Sequence, residues 1–316
     1  MFIAPFFLVY CFFQIWPLIY TFILSFQGNQ ANNGQWVGLD NYSTILFGEG
    51  MAAGAADLRG EFLQSLGNTF ILWFGNFIPQ ILLSLLLAVW FTDATVKLPG
   101  KGFFKVVMYM PNIITAATVA VLFGALIGYP MGPMNDLFTS LGLSKEPIFF
   151  FQNKWIAKGV VSFIQFWMWY GYTMIVLISG ILGISPELYE AAEIDGATTF
   201  KKFLYITLPN LRTILIFTLI TSMIGGLTMF DIPKLLVQQS GPNNATLTTS
   251  VFIYNQAFSG SYMYNRASAA SMIMFIIIGA LSAVVFFLMQ DKSEIAERKE
   301  LKRVAKEMKK QAKEGK

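Results

Sequence analysis

Residues 185–209 read SPELYEAAEIDGATTFKKFLYITLP, and this stretch decides how the chain is organised. It is polar where its flanks are apolar, and it carries the punctuation of two short helices. Ser185 suits a helix N-cap, Pro186 the first helical position and Glu187 the positive helix end. Gly196 fits a C-terminal turn that needs a positive φ. Thr198 or Thr199 can cap a second helix, whose run of Phe200, Phe203, Leu204 and Ile206 leads to Pro209 and the next apolar segment. Ala191 and Ala192 are small, so another surface can approach closely. The residues alone leave two readings open, a connector and a docking helix. Two capped helices are more structure than a connector needs.

Outward from this loop the chain is apolar. Of its 316 residues 55% are hydrophobic and only 13% charged, against about 25% charged in a typical soluble protein. Mean hydropathy is +0.57. So few charges cannot cover the surface of a soluble domain of this length, which makes this an integral membrane protein. Stretches at 2–26, 68–91, 104–127, 159–182, 211–230 and 267–289 are long and apolar enough to cross a bilayer. They are continuous rather than alternating, which excludes a β-barrel and predicts an all-α polytopic membrane protein with six transmembrane helices. The first stretch is too long for a signal peptide core, and no small-residue cleavage site follows it. Its abrupt start leaves open whether a short cytoplasmic head precedes Met1.

The few charges encode topology. Lys97, Lys101 and Lys105 lie between the second and third spans, and Lys201, Lys202 and Arg212 between the fourth and fifth. The tail 291–316 adds ten basic residues. Sixteen basic residues thus share one side, against six on the other, so both termini and the loop 185–209 are predicted cytoplasmic. The tail also carries six acidic residues and so accounts for the whole net charge of +4. Its apolar residues recur at roughly helical spacing, open to a solvated helix or to one lying on anionic headgroups. No nucleic-acid-binding module accompanies the basic residues.

Composition removes further classes. With no His and one cysteine, Cys11, there is no Ser-His-Asp triad, no His-ligated metal and no disulfide framework. Lys97 to Gly102 lacks the spacing of a phosphate-binding loop, so no nucleotide hydrolysis is expected on this chain. The predicted organisation is a first helix and external loop over 1–66, a five-helix core over 67–290 and a charged tail over 291–316. Residues 27–67 read as an external loop containing at most a short helix. Pro79, Pro111 and Pro233 are open to ordinary kinks or to hinges beside a pathway.

The loop then resembles a known family. Glu190-Ala191-Ala192, three residues, Gly196, nine residues, Ile206, one residue and Leu208-Pro209 look like the complete EAA signature of permease subunits in binding-protein-dependent ABC importers. The surrounding ELYEAAEIDGAT, with Asp195, is similar to the MalF-like, lactose- and glycerol-3-phosphate-type carbohydrate permeases. So are residues 229–258 and the start of the chain, with Pro5 and Pro17 inside the first span. Ser240-Gly241-Pro242 departs from that family, whose members often have Gly-Gly-Pro. The resemblance covers nearly all of residues 1–290.

The resemblance implies a type I ABC importer permease fold, a bacterial or archaeal cell membrane, and a coupling helix within 185–209. Glu190 would make a polar contact to a cytoplasmic ATPase subunit, Ala191 and Ala192 would allow close packing, and Gly196 would set the turn. Asp195, Ile206, Leu208 and Pro209 complete the coupling set. The implied partners are a second permease subunit, two ATPase subunits holding ATP and Mg, an external solute-binding protein and a carbohydrate, with no cofactor in this chain. Aromatic faces beside hydrogen-bonding groups make Gln165, Trp169, Tyr172, Phe230 and Asp231 candidates for the sugar pathway. The same aromatic cluster is also open to packing or interfacial anchoring. A membrane-embedded carboxylate costs roughly 2.5–3.5 kcal/mol, which is why Asp231 stands out, and Asp231 is equally open to a place at the membrane interface. Another solute, such as glycerol-3-phosphate or an amino acid, is the alternative within the same machinery. An ATP-independent secondary transporter or channel, or a membrane enzyme, is the alternative outside it.

Overall fold

The computed structural model describes residues 3–28, 34–50, 54–93, 99–259, 262–289 and 303. The expected tail helix and Lys97 lie outside them. Among the described residues there are helices and one isolated bridge, between Gln27 and Trp36, but no strand.

The chain opens with α1 (Ala4–Leu24), followed by the short α2 (Asp40–Phe47) and the long α3 (Ala55–Thr92). The expected boundary near residue 66 therefore falls inside a helix. Residues 55–67 are too polar to register as a membrane span, yet nothing in them breaks a helix. They prolong α3 beyond the apolar layer and pack Phe62 against α2 and the start of the last helix.

The third span is not one rod. α4 (Lys101–Ile113) and α5 (Ala116–Leu126) meet at a 95° bend. Ile114 and Thr115 are extended there, and the Thr115 hydroxyl accepts from the Thr118 amide and so starts a new helix. After α6 (Pro133–Ser140) comes α7 (Lys154–Leu182), capped by the Asn153 carboxamide oxygen on the Trp155 and Ile156 amides. Five candidate spans among the described residues stand beside this bent pair. α4 packs on the middle of α7, where Asn112 donates to the Met168 carbonyl, and α5 ends beside the helix that follows the fifth span. Gly171 permits the close approach of α4, since a Cβ there would run into the Met108 carbonyl.

The loop helices α8 (Pro186–Ile194) and α9 (Thr199–Lys202) come next. A π-helical turn (Phe203–Thr207) and α10 (Leu208–Asn210) lead into α11 (Arg212–Leu227). The π turn has a local cause. Pro209 has no N–H, and its ring would strike the carbonyl four residues back, so the turn ahead of it widens. The same register recurs in α1, where the π turn Cys11–Ile15 precedes Pro17. The helix of the expected fifth span ends at Leu227, and a short helix α12 (Asp231–Leu236) follows it, so that the candidate span reaches to residue 236. α13 (Thr249–Phe258) and α14 (Tyr264–Met289) complete the fold.

α3 and α7 form the centre. Buried apolar residues of both helices pack along their length, joined near the loop end by Leu211. Polar ties cross this seam: Gln80 Nε2 donates to Thr173 Oγ1 at 2.7 Å and Ser84 Oγ to the Tyr170 carbonyl at 2.7 Å. In lipid there is no hydrophobic force between helices. Such bonds, each worth about 0.6–2 kcal/mol, and close packing hold the bundle instead. None of the α1 span is buried; its second half lies along α14, and its end is tied by Asn265, which donates to the Leu24 carbonyl.

At the end opposite α8, the connection from α12 to α13 is pinned by Asn68, which donates to the Asn244 and Leu247 carbonyls. Ser240 sits there at φ 59°, a left-handed backbone that costs a side-chain-bearing residue roughly 1–2 kcal/mol. This is the position at which the sequence departs from Gly-Gly-Pro.

Candidate functional site

Two features bear on function, the loop at one end of the bundle and a cavity within it. α8 ends as its sequence dictates. Gly196 lies at φ +71°. The Ala197 amide reaches the Ala192 carbonyl at 2.8 Å and the Gly196 amide reaches the Glu193 carbonyl at 3.0 Å, a Schellman closure of the last turn. Thr198, not Thr199, caps the next helix by accepting from the Lys201 amide. Ser185 occupies the N-cap position, but its side chain makes no bond to the first turn. Pro186 follows at the start of the helix and already lacks one of the amides that need satisfying.

The helical repeat divides α8 into two faces. Tyr189, Ala192 and Glu193 turn toward the returning chain. Tyr189 Oη lies 3.0 Å from Thr207 Oγ1, and Lys202 Nζ lies 2.7 Å from Glu193 Oε1. Glu187, Glu190, Ala191 and Ile194 form the other face, all exposed, with Ile194 at 86%. The structure therefore separates the two alanines expected to act together: Ala191 is exposed, whereas Ala192 is half-buried on the inner face. Glu190 has no ion-pair partner among the described residues. Asp195 is exposed at the C-cap, where a negative charge opposes the helix dipole, so helix stability does not explain it. Ile206 and Leu208 are half-buried where the chain returns, and Pro209 is exposed. Thr207 and Leu211 are buried, at 5% and 0% exposure; Thr207 meets Tyr189 of α8, and Leu211 packs into the α3–α7 core.

The cavity, of about 210 Å³, lies near the middle of α3, α7 and α11. Gln165, Trp169 and Tyr172 line it, with Thr173, from α7. Phe230 and Asp231 do not. α11 ends at Leu227 and the chain turns, so that Met229 remains on the cavity wall while Phe230 swings away to meet Tyr254, their ring centroids 5.1 Å apart. Asp231 is exposed at the start of α12 and is not among the residues that line the cavity.

Asn76 and Gln80 of α3, and Thr218, Thr221 and Ser222 of α11, were missed by the sequence reading and line the cavity too. Amides at 76 and 80, one helical turn apart inside an apolar span, were the available signal, because polar groups in the bilayer are costly and tend to face a cavity. Gln80 is held by Thr173, and Asn76 donates to the Leu72 carbonyl at 3.0 Å. Thr218 Oγ1 is buried with no partner among the described residues. The cavity thus combines flat aromatic faces with amide and hydroxyl groups, the equipment for a neutral, polyhydroxylated ligand.

A family model for "Binding-protein-dependent transport system inner membrane component" matches residues 50–295. The arabinooligosaccharides transport system permease protein of Bacillus subtilis is 30% identical over 90% of this chain and 86% of its own length. The lactose transport system permease protein of Rhizobium radiobacter is 27% identical over 92% of this chain and 94% of its own. Among solved structures, a bacterial ABC transporter involved in import of the acidic polysaccharide alginate has a chain of the same fold. Its TM-score is 0.74 at 22% identity, covering 90% of this chain and 92% of that one.

Proposed function

Because this chain belongs to the family of binding-protein-dependent transport system inner membrane components, we propose that it is the permease subunit that carries a carbohydrate, a di- or oligosaccharide, into a bacterial or archaeal cell. The observation that carries this reading is the outward face of α8, a capped helix with exposed Glu190, Ala191 and Ile194 at one end of the bundle. The sugar assignment is supported by relatives named for arabinooligosaccharide and lactose transport and by the aromatic and amide lining of the cavity.

In this reading the outer face of α8 seats in a groove of a cytoplasmic ATPase subunit. ATP and Mg are held by that subunit, and this chain performs no hydrolysis. The assembly in this reading joins this chain to a second permease subunit, a paralogue of it, and to two ATPase subunits, and an external solute-binding protein serves it. Motion of α8 passes through the Tyr189–Thr207 contact to Leu211 and so to the α3–α7 core around the cavity. Nucleotide-driven closure of the ATPase pair would rock that core between inward- and outward-facing states. Sugar alone shifts the equilibrium only by its differential affinity for the two states, so ATP supplies the drive. The test is reconstitution with partner subunits in proteoliposomes. Glu190→Lys should leave the chain in the membrane and abolish ATP-dependent sugar uptake; full uptake by this variant would sink the coupling role.

A further inference from the structure

We infer that Trp73, which stands behind the cavity wall, is a positioning residue: it holds the Ser222 hydroxyl so that its proton is offered to the sugar. This inference rests on the carbohydrate reading above. An indole N–H can only donate, and Trp73 is 5% exposed, so its donor needs an acceptor inside the protein. It finds one across the helix pair, Ser222 Oγ of α11 at 3.4 Å. Ser222 lines the cavity, whereas Trp73 is not part of the lining. The ring is clamped in place. It stacks on Phe77, with centroids 5.7 Å apart, and packs among Met223, Leu227 and Met274. Its edge lies against the α11 backbone at Gly226, where a Cβ would run into the indole. The missing side chain at 226 thus lets α3 and α11 approach until the N–H reaches Ser222.

Two neighbouring hydroxyls show what the indole changes. Thr221 spends its proton on its own helix, donating to the Phe217 carbonyl at 2.8 Å, a common habit of hydroxyls within helices. Ser222 donates to no group among the described residues. The indole proton engages one of the two lone pairs on Ser222 Oγ and leaves the hydroxyl hydrogen and the other lone pair unspent. Both residues line the cavity, so α11 offers a ligand an acceptor at 221 and a donor at 222. A hydroxyl that already accepts a hydrogen bond is polarised by it into a stronger donor. The cavity lining carries no charged side chain, so the oxygen that suits this donor is a hydroxyl or ring oxygen of a neutral sugar. A tryptophan that only filled space between α3 and α11 would place no demand on Ser222.

The experiment is a double-mutant cycle in the complete reconstituted importer, read as sugar imported per ATP hydrolysed. Labelled neutral disaccharides of pentose, hexose and N-acetylhexosamine units are the probes, and the best transported is carried through the cycle. Ser222→Ala and Trp73→Phe should each lower the ratio by about three- to tenfold, the worth of one neutral hydrogen bond. The double variant should fall no further than the single variants, because Trp73 acts through Ser222. Trp73→benzothienylalanine keeps the bicyclic ring and removes only the N–H. It should match Trp73→Phe, and it carries the cycle if the smaller phenyl ring impairs assembly. Losses that multiply in the double variant show that Trp73 acts independently of Ser222 and overturn the inference. So does an unchanged ratio with Ser222→Ala or with the benzothienylalanine variant, and in either case the import function stands. Failure of the wild type to import any of the sugars refutes the carbohydrate reading itself, and this role of Trp73 with it.

Discussion

Replacing Gly196 by alanine isolates the turn that closes α8 and so tests the coupling role proposed for that helix. Gly196 lies at φ +71° with open space where a Cβ would stand, so Gly196→Ala meets no neighbour and adds only backbone strain, about 1–2 kcal/mol. α8 is only 9 residues long, too short to be stable alone in water. Its shape depends on the Schellman bonds, the Tyr189–Thr207 contact and one ion pair. The Glu193 side chain of that pair is 59% exposed, which limits its worth to about 0.2–1 kcal/mol. With so small a reserve, 1–2 kcal/mol shifts the formed-to-unformed ratio of the turn by a factor of roughly 5–30. The expected result is a fall in ATP-dependent uptake of up to that factor, with thermal melting of the detergent-solubilised chain unchanged. Gly100 supplies the matched control: its φ is +77°, its surroundings are equally open, and it lies outside the coupling loop. Full uptake by Gly196→Ala, or an equal loss from Gly100→Ala, would refute the reasoning.

Two further outcomes test the bundle and the cavity. Gly171→Val drives a branched side chain into the α4 backbone at Met108 and Tyr109; it should destabilise the chain by about 1–3 kcal/mol or more, read as a lower melting temperature and reduced membrane yield. Gln80→Leu removes the 2.7 Å bond to buried Thr173 and should cost about 1–3 kcal/mol through the unpaired hydroxyl. The expected signature is a raised KM for sugar uptake with assembly onto the ATPase subunits intact.

How much could be read in advance differs between the loop and the cavity. The turn at Gly196 and the cap at Thr198 were legible because capping is local, set by residues within one helical turn of each other. The two-faced character of α8 was not. Ala191 and Ala192 are neighbours in sequence, and only the docking of Tyr189 and Glu193 on the returning chain decides which of them is exposed. The bend between α4 and α5 was half-legible: Pro111 marks the region, yet the break falls at Ile114 and Thr115, where a threonine cap competes with continued helix. On the cavity, Gln165, Trp169 and Tyr172 share one face of α7, so helical period groups them. Asn76, Gln80 and Thr218 join them only because α3, α7 and α11 pack together.

The sequence by itself determined the membrane class, the number of apolar stretches, the two-helix loop with its turn and the family, because each rests on composition or short-range spacing. Tertiary structure alone decided where the third apolar stretch bends, which face of α8 stays exposed, and which polar residues from three separate helices share one cavity. Hydropathy measures how well a segment tolerates lipid, and most of these helices are apolar nearly all round. The direction each side chain faces is then fixed by close approach, as at Gly171, and by a few hydrogen bonds between helices, as at Gln80 and Thr173.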